Sequence, residues 1–188
     1  MMSLTPAPPR ERWLTRDEVA MIFRRLRRKR SRHVLLFARL ALYTGARTGA
    51  ILDLTWDRVK FDAGLIDYRV PGRRVTKKKR VVAPMTPPVR RMLKSAKARA
   101  RSDHVVEWAG QGISRVAKAF IQAAEDVGLD DVSPHVLRHT FASWAAIKRV
   151  PIYHIGKALG QTVASTTERY AKLAPDDISG VFDTVRRK

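Results

Sequence analysis

Four short segments of this 188-residue chain hold the side chains best equipped for chemistry: Arg47 in TGARTGAILDLTW, the lysine run TKKKR at 76–80, His135 and Arg138 in HVLRH, and Tyr170 in TTERY. Between them they supply two guanidiniums, an ammonium, an imidazole and a phenol, which is the equipment for attacking a phosphodiester. His135, Arg138 and His139 stand at i, i+3 and i+4, so a helix presents all three on one face. Near a helix N-terminus, such a face offers an anion a proton acceptor, a fixed charge and a favourable dipole. A phenol titrates at about 10 and is a poor nucleophile at neutral pH unless a neighbouring group takes its proton.

Charge names the class of partner. With 38 Lys and Arg against 17 Asp and Glu, the formal charge is +21, a surplus that suits a polyanion such as nucleic acid. A ribosomal type of RNA binder would explain the charge but not the four segments. The chain has no cysteine, which excludes disulfide scaffolds, thiolate zinc sites and cysteine nucleophiles. His33, His104 and His154 are isolated in the sequence, and no pair of them has metal-ligand spacing. No apolar run approaches the ~20 residues that span a bilayer, and MMSLTPAPPR lacks the apolar stretch of an export signal. The expectation is an intracellular protein without a membrane partner.

The elements that position these residues are mostly helical. Residues 1–13 read as a flexible leader. Thr15 and Glu18 form a capping box ahead of Val19, Ile22, Phe23 and Leu26 at helical spacing, with Arg24, Arg25, Arg27, Arg28, Lys29 and Arg30 on a solvated face. VLLFARLALY at 34–43 is apolar nearly all round and predicts a buried helix stopped by Thr44-Gly45. A short helix over 48–54 follows. Residues 59–85 change to β-branched runs broken by Pro71-Gly72 and the lysines, which predicts a small antiparallel sheet and the only strand region. Helices are then predicted over 87–101, 113–127 before Gly128, 134–148 with Ser133 as cap, 151–159 ending at Gly160, and 165–173, with an amphipathic tail on Ile178, Val181, Phe182 and Val185. Trp56 and Trp144 fit apolar faces. The fold class is α+β, mainly helical, in one domain over 14–175.

TGARTGAILDLTW, HVLRHTFASW and LGQTVASTTERYAKL, in that order, resemble the three motif regions of the tyrosine recombinase, or phage integrase, catalytic domain. The resemblance implies a mainly helical domain with a small β-sheet, acting on double-stranded DNA through a 3′-phosphotyrosine link without metal or nucleotide cofactor. It implies that Tyr170 is the nucleophile, that Arg47 and Arg138 clamp the phosphate, and that His135 assists proton transfer. A hairpin lysine would protonate the departing 5′-oxygen: Lys77 by its place after the threonine, with Lys78 and Lys79 as alternatives. Arg73, Arg74, Lys78, Lys79 and Arg80 are the DNA-contact candidates. His139 reads as support beside Arg138.

Two positions depart from the family pattern. Gln161, nine residues before Tyr170, stands where histidine or tryptophan is usual, and it donates a hydrogen bond but carries no proton. Ala50 stands where an acidic residue is common, which leaves open whether Asp53 or another group holds Arg47. The resemblance implies a homo-tetramer on DNA, with 176–188 as a tail exchanged between protomers, in the cytoplasm of a bacterium or phage host, on the nucleoid. Family members carry a core-binding domain for which residues 1–13 leave no room, so weak and poorly specific DNA binding is expected. A catalytically silent DNA-binding relative and a type IB topoisomerase-like strand relaxer are the alternatives.

Overall fold

The computed structural model describes residues 12–72, 79–161 and 170. Helix α1 (Arg16–Arg28) begins at the expected capping box: Thr15 Oγ1 accepts from the Glu18 amide at 3.2 Å, and the Glu18 carboxylate accepts from the Thr15 amide at 2.7 Å. Two orphan amides are thereby satisfied reciprocally. Its Val19, Ile22, Phe23 and Leu26 are buried, and most of the arginines between them face outward. Helix α2 (Arg32–Thr44) is the central element, packed by α1, α3 (Thr48–Leu52), α4 (Pro87–Lys97), α5 (Ala117–Glu125) and α6 (Pro134–Ile147). Being surrounded requires the all-round apolar sequence that marks it.

A 3-10 turn at Trp56–Arg58 leads into the sheet β1 (Val59–Lys60), β2 (Leu65–Asp67) and β3 (Val82–Pro84), antiparallel in the order β1-β2-β3. Ile66 pairs with Val59 on one side and Ala83 on the other, and all three are buried, so this register directs one face of the sheet into the core. Tyr68, fully buried just beyond β2, joins its hydroxyl to Thr44 Oγ1 at 3.1 Å and ties the sheet to the end of α2. Burial pushes its phenol well above the ordinary range.

The chain also forms a second, two-stranded sheet, β4 (Glu107–Trp108) and β5 (Gln111–Gly112), inside the stretch expected to be helix and connection only. Its turn is Ala109-Gly110, both with positive φ (52° and 80°). Strands of two residues carry no readable alternation, and Ala-Gly is a weaker turn signal than Asn-Gly or Asp-Gly. Helix α4 therefore ends at Lys97, not near 101, and α5 begins at Ala117, not at 113. Ser133 does occupy the cap position of α6, but its side chain makes no capping hydrogen bond. Leu14 fixes that helix instead: its amide donates to Thr140 Oγ1 at 3.0 Å and its carbonyl accepts from Trp144 Nε1 at 3.0 Å. Trp56 is buried and Trp144 is half-buried. Helix α7 (Ile152–Leu159) packs on α6 and ends at Gly160. The helix expected at 165–173 and the tail lie outside the described residues, apart from Tyr170.

Candidate active site

Two helix ends meet at the arginines. Helix α2 ends at Gly45 (φ +64°) and α7 at Gly160 (φ +62°), both left-handed, where only glycine is unstrained. The Gly45 carbonyl accepts from Arg138 Nη1 at 2.6 Å, and the Leu159 carbonyl accepts from Arg138 Nη2 at 2.8 Å. Arg47 Nη1 donates to the Lys79 carbonyl at 2.5 Å, and its Nη2 donates to the Gly160 carbonyl at 3.3 Å. The last carbonyls of a helix have no partner within it and form its negative pole, so they suit guanidiniums. Backbone acceptors orient these two cations without cancelling their charge, which stays available to an anion.

Arg138 is only 5% exposed. Burial first, and the nearby Arg47 charge second, bring its pKa down to about 10, with Tyr170 acting in the opposite sense. Burial lowers Arg47 as well. Arg138 remains protonated at neutral pH. Two like charges in a partly desolvated setting gain from an arriving phosphate, which relieves their repulsion.

Arg47 is held without a carboxylate, so the acid missing at Ala50 is not needed to orient it. Arg47 caps the N-terminus of α3 and Asp53 its C-terminus. The Asp53 carboxylate pairs with Arg80 at 2.5 Å, one residue beyond the Lys79 carbonyl that Arg47 grips. The short helix α3 thus fastens both its ends to the base of the lysine-rich segment. Lys79 is exposed, whereas the Arg80 side chain is 12% exposed against Asp53. Lys77, Lys78, Arg73 and Arg74 lie outside the described residues.

Helix α6 supplies the remaining groups. The His135 and His139 rings meet edge to face with centroids 4.6 Å apart. His139 Nδ1 lies 2.7 Å from the Tyr170 hydroxyl. Tyr170 is 4% exposed, its ring packed with Ala142, Ala146, Ile155 and Leu159 between α6 and α7. His139, read from the sequence as support for Arg138, is therefore the histidine that touches the phenol. Its place four residues after His135 was the available signal, since both share one helical face. Gln161, half-buried, follows Gly160 directly, its amide donating to the Gly156 carbonyl at 3.0 Å. A phenol hydrogen-bonded to an imidazole beside two charged guanidiniums is an arrangement that can present a nucleophile to a phosphodiester and stabilise the charge that develops. Among the described residues no group of three His, Asp or Glu side chains is placed to hold a metal ion.

Gly160 carries much of this geometry. A Cβ there would lie 2.6 Å from the Lys79 carbonyl oxygen and 2.8 Å from Val81 Cγ1, besides forcing a left-handed conformation on an L-residue. Gly160→Ala is expected to cost about 1–2 kcal/mol, a fall of several degrees in the melting temperature. It should also weaken phosphate binding, because it displaces both acceptors of Arg47 at once. Thermal melting with and without inorganic phosphate checks both parts.

Fold and site together define a helical domain that sets a buried tyrosine against paired histidines and two carbonyl-held arginines. Residues 12–176 match the family model described as the phage integrase family, and the chain belongs to that family. It is 27% identical over 169 residues to the integrase of Escherichia phage 186, covering 88% of this chain and 45% of that protein. The chain spans about half the length of that relative and of the tyrosine recombinase XerC of Bifidobacterium longum (46%), to which it is 26% identical. The fold matches the catalytic domain of bacteriophage HP1 integrase with a TM-score of 0.71 at 22% identity, covering 92% of this chain and 94% of that one. Among the described residues no helix is long and apolar enough to cross a membrane.

Proposed function

We propose that this chain is the DNA-cleaving part of a site-specific recombinase that breaks and rejoins strands through a 3′-phosphotyrosine link. The observation that carries the reading is the 2.7 Å contact between Tyr170 and His139 beside Arg138. In the cleavage step the Tyr170 oxygen bonds to phosphorus and the bond from phosphorus to the 5′-oxygen breaks. The phenol proton passes to His139, while His135 lies edge-on to that ring. The 5′-oxygen leaves with a proton from the lysine-rich segment, for which Lys77 is the proposed donor, because an ammonium gives up a proton more readily than a guanidinium. Arg47 and Arg138 hold the non-bridging oxygens as charge builds, with Gln161 a further hydrogen-bond donor to them. Rejoining is the reverse, with a 5′-hydroxyl as the attacking group.

Double-stranded DNA as partner agrees with the net charge of +21 and with the exposed Lys79. An integrase from the Tn1549 transposon was solved with transposon right-end DNA, and lambda integrase as a tetramer on a Holliday junction. By analogy this protein works as a homo-oligomer on DNA, in the cytoplasm at the nucleoid, with 14–175 as the catalytic unit and 176–188 as an exchanged tail. A nicked suicide duplex bearing a candidate attachment sequence tests the activity. The expected result is a covalent protein–DNA adduct on a denaturing gel. A folded, DNA-bound protein that yields no adduct on any substrate would make this a silent DNA-binding relative instead.

The role of His139 has its own test. Glutamine there keeps a hydrogen-bonding group but takes no proton, so His139→Gln should slow single-turnover adduct formation about 100-fold. Its rate should then climb with pH across the neutral range, since the phenol must lose its proton to solvent. A wild-type rate in this variant would leave His139 a positioning role alone.

A further inference from the structure

At the opposite end of α2 from Gly45, about 18 Å along the helix axis, lies an open cavity of about 870 Å³ that the catalytic chemistry does not use. It is bounded by the N-terminal half of α2, the end of α4 and the β4–β5 turn. Arg30, Arg32, Arg39, Arg99 and Arg101 line it. One carboxylate opposes them, Glu107, which already accepts from the Arg101 amide at 2.9 Å and Ser102 Oγ at 2.6 Å. The wall is therefore strongly cationic.

Three aromatic groups make it more than a basic surface. Trp108, at the turn, is 61% exposed, a large apolar ring held in solvent. The His33 ring lies 4.7 Å from it at 49°, which extends the platform. Trp56, only 7% exposed, backs the wall, and among the described residues neither its buried Nε1 nor the buried Nδ1 of His33 has a hydrogen-bond partner. Flat groups joined by phosphates meet both demands of such a wall: stacking on Trp108 and pairing with the arginines.

We propose that this cavity is a second nucleic-acid site, which takes an unpaired strand with a base on Trp108 and its phosphates on the arginines. A paired base has both faces covered, so the platform selects single strands over duplex. The inference rests on the DNA reading for its partner but uses none of the cleavage residues.

The test is fluorescence anisotropy with a labelled oligothymidine of about 12 nucleotides and the full chain, repeated over a series of salt concentrations. Trp108→Ala should weaken binding about tenfold. Arg32→Glu should weaken it and flatten its salt dependence; an acid in the first turn of α2 is compatible with the helix dipole. Both variants change exposed side chains, and circular dichroism checks their folding. Adduct formation on the nicked duplex should stay at the wild-type level in both. The proposal is overturned if both variants bind oligothymidine like the wild type, if duplex or polyglutamate competes as well as oligothymidine, or if cleavage falls in parallel with binding. Loss of single-strand binding in variants of a protein that forms no adduct at all would uphold this site and refute the cleavage reading.

Discussion

Tyr170→Phe is expected to abolish the covalent adduct, a loss of at least about 1,000-fold, while leaving the fold intact. The ring sits among Ala142, Ala146, Ile155 and Leu159, and phenylalanine keeps every one of those apolar contacts. What disappears is the hydroxyl and its hydrogen bond to His139. No other tyrosine is placed to substitute. Of the four in the chain, Tyr68 is fully buried against Thr44, and Tyr43 and Tyr153 are exposed, at 43% and 74%. The measurement is adduct yield on the nicked duplex, beside thermal melting to confirm folding. Residual adduct at a tenth of the wild-type level or more would mean that another residue attacks.

The second large effect is expected at Arg138. Arg138→Gln removes a buried charge that holds two helix ends, leaving the Gly45 and Leu159 carbonyls without their charged donor. Losing a clamp of this kind should lower the cleavage rate about 100- to 1,000-fold. The stability effect has two opposing parts. Folding lowers the pKa of Arg138 to about 10, from a higher value in the unfolded chain, so the protonated group is disfavoured in the fold at neutral pH. That cost is relieved as pH rises above about 10, or when an anion binds. Sulfate should therefore raise the melting temperature of the wild type at pH 7, and this gain should shrink in Arg138→Gln. Equal gains in both proteins would show that sulfate acts elsewhere.

Much of the scaffold was legible because local signals agreed with the tertiary outcome. Thr15 and Glu18 announce α1, and the all-round apolar run of α2 matches its central place. Gly45 and Gly160 end their helices where the pattern breaks. What holds the arginines was not legible. Their acceptors are the carbonyls of Gly45, Lys79, Leu159 and Gly160, and every residue has a carbonyl. Sequence could raise Asp53 as a partner for Arg47, but only the fold shows Asp53 with Arg80 and Arg47 on backbone. His139 was visible on the right helical face, yet its role depends on Tyr170 arriving from 31 residues further along the chain. The β4–β5 hairpin escaped because two-residue strands are too short for any period, and with it went the platform at Trp108.

The most direct measurement of the central claim is to locate the adduct. Wild-type protein trapped on the nicked duplex is digested with nuclease and protease, and the peptide that carries a nucleotide 3′-phosphate is sequenced by mass spectrometry. The predicted result is a single modified residue, Tyr170. A modified Tyr43 or Tyr153, or a linkage at any serine or histidine, would contradict it.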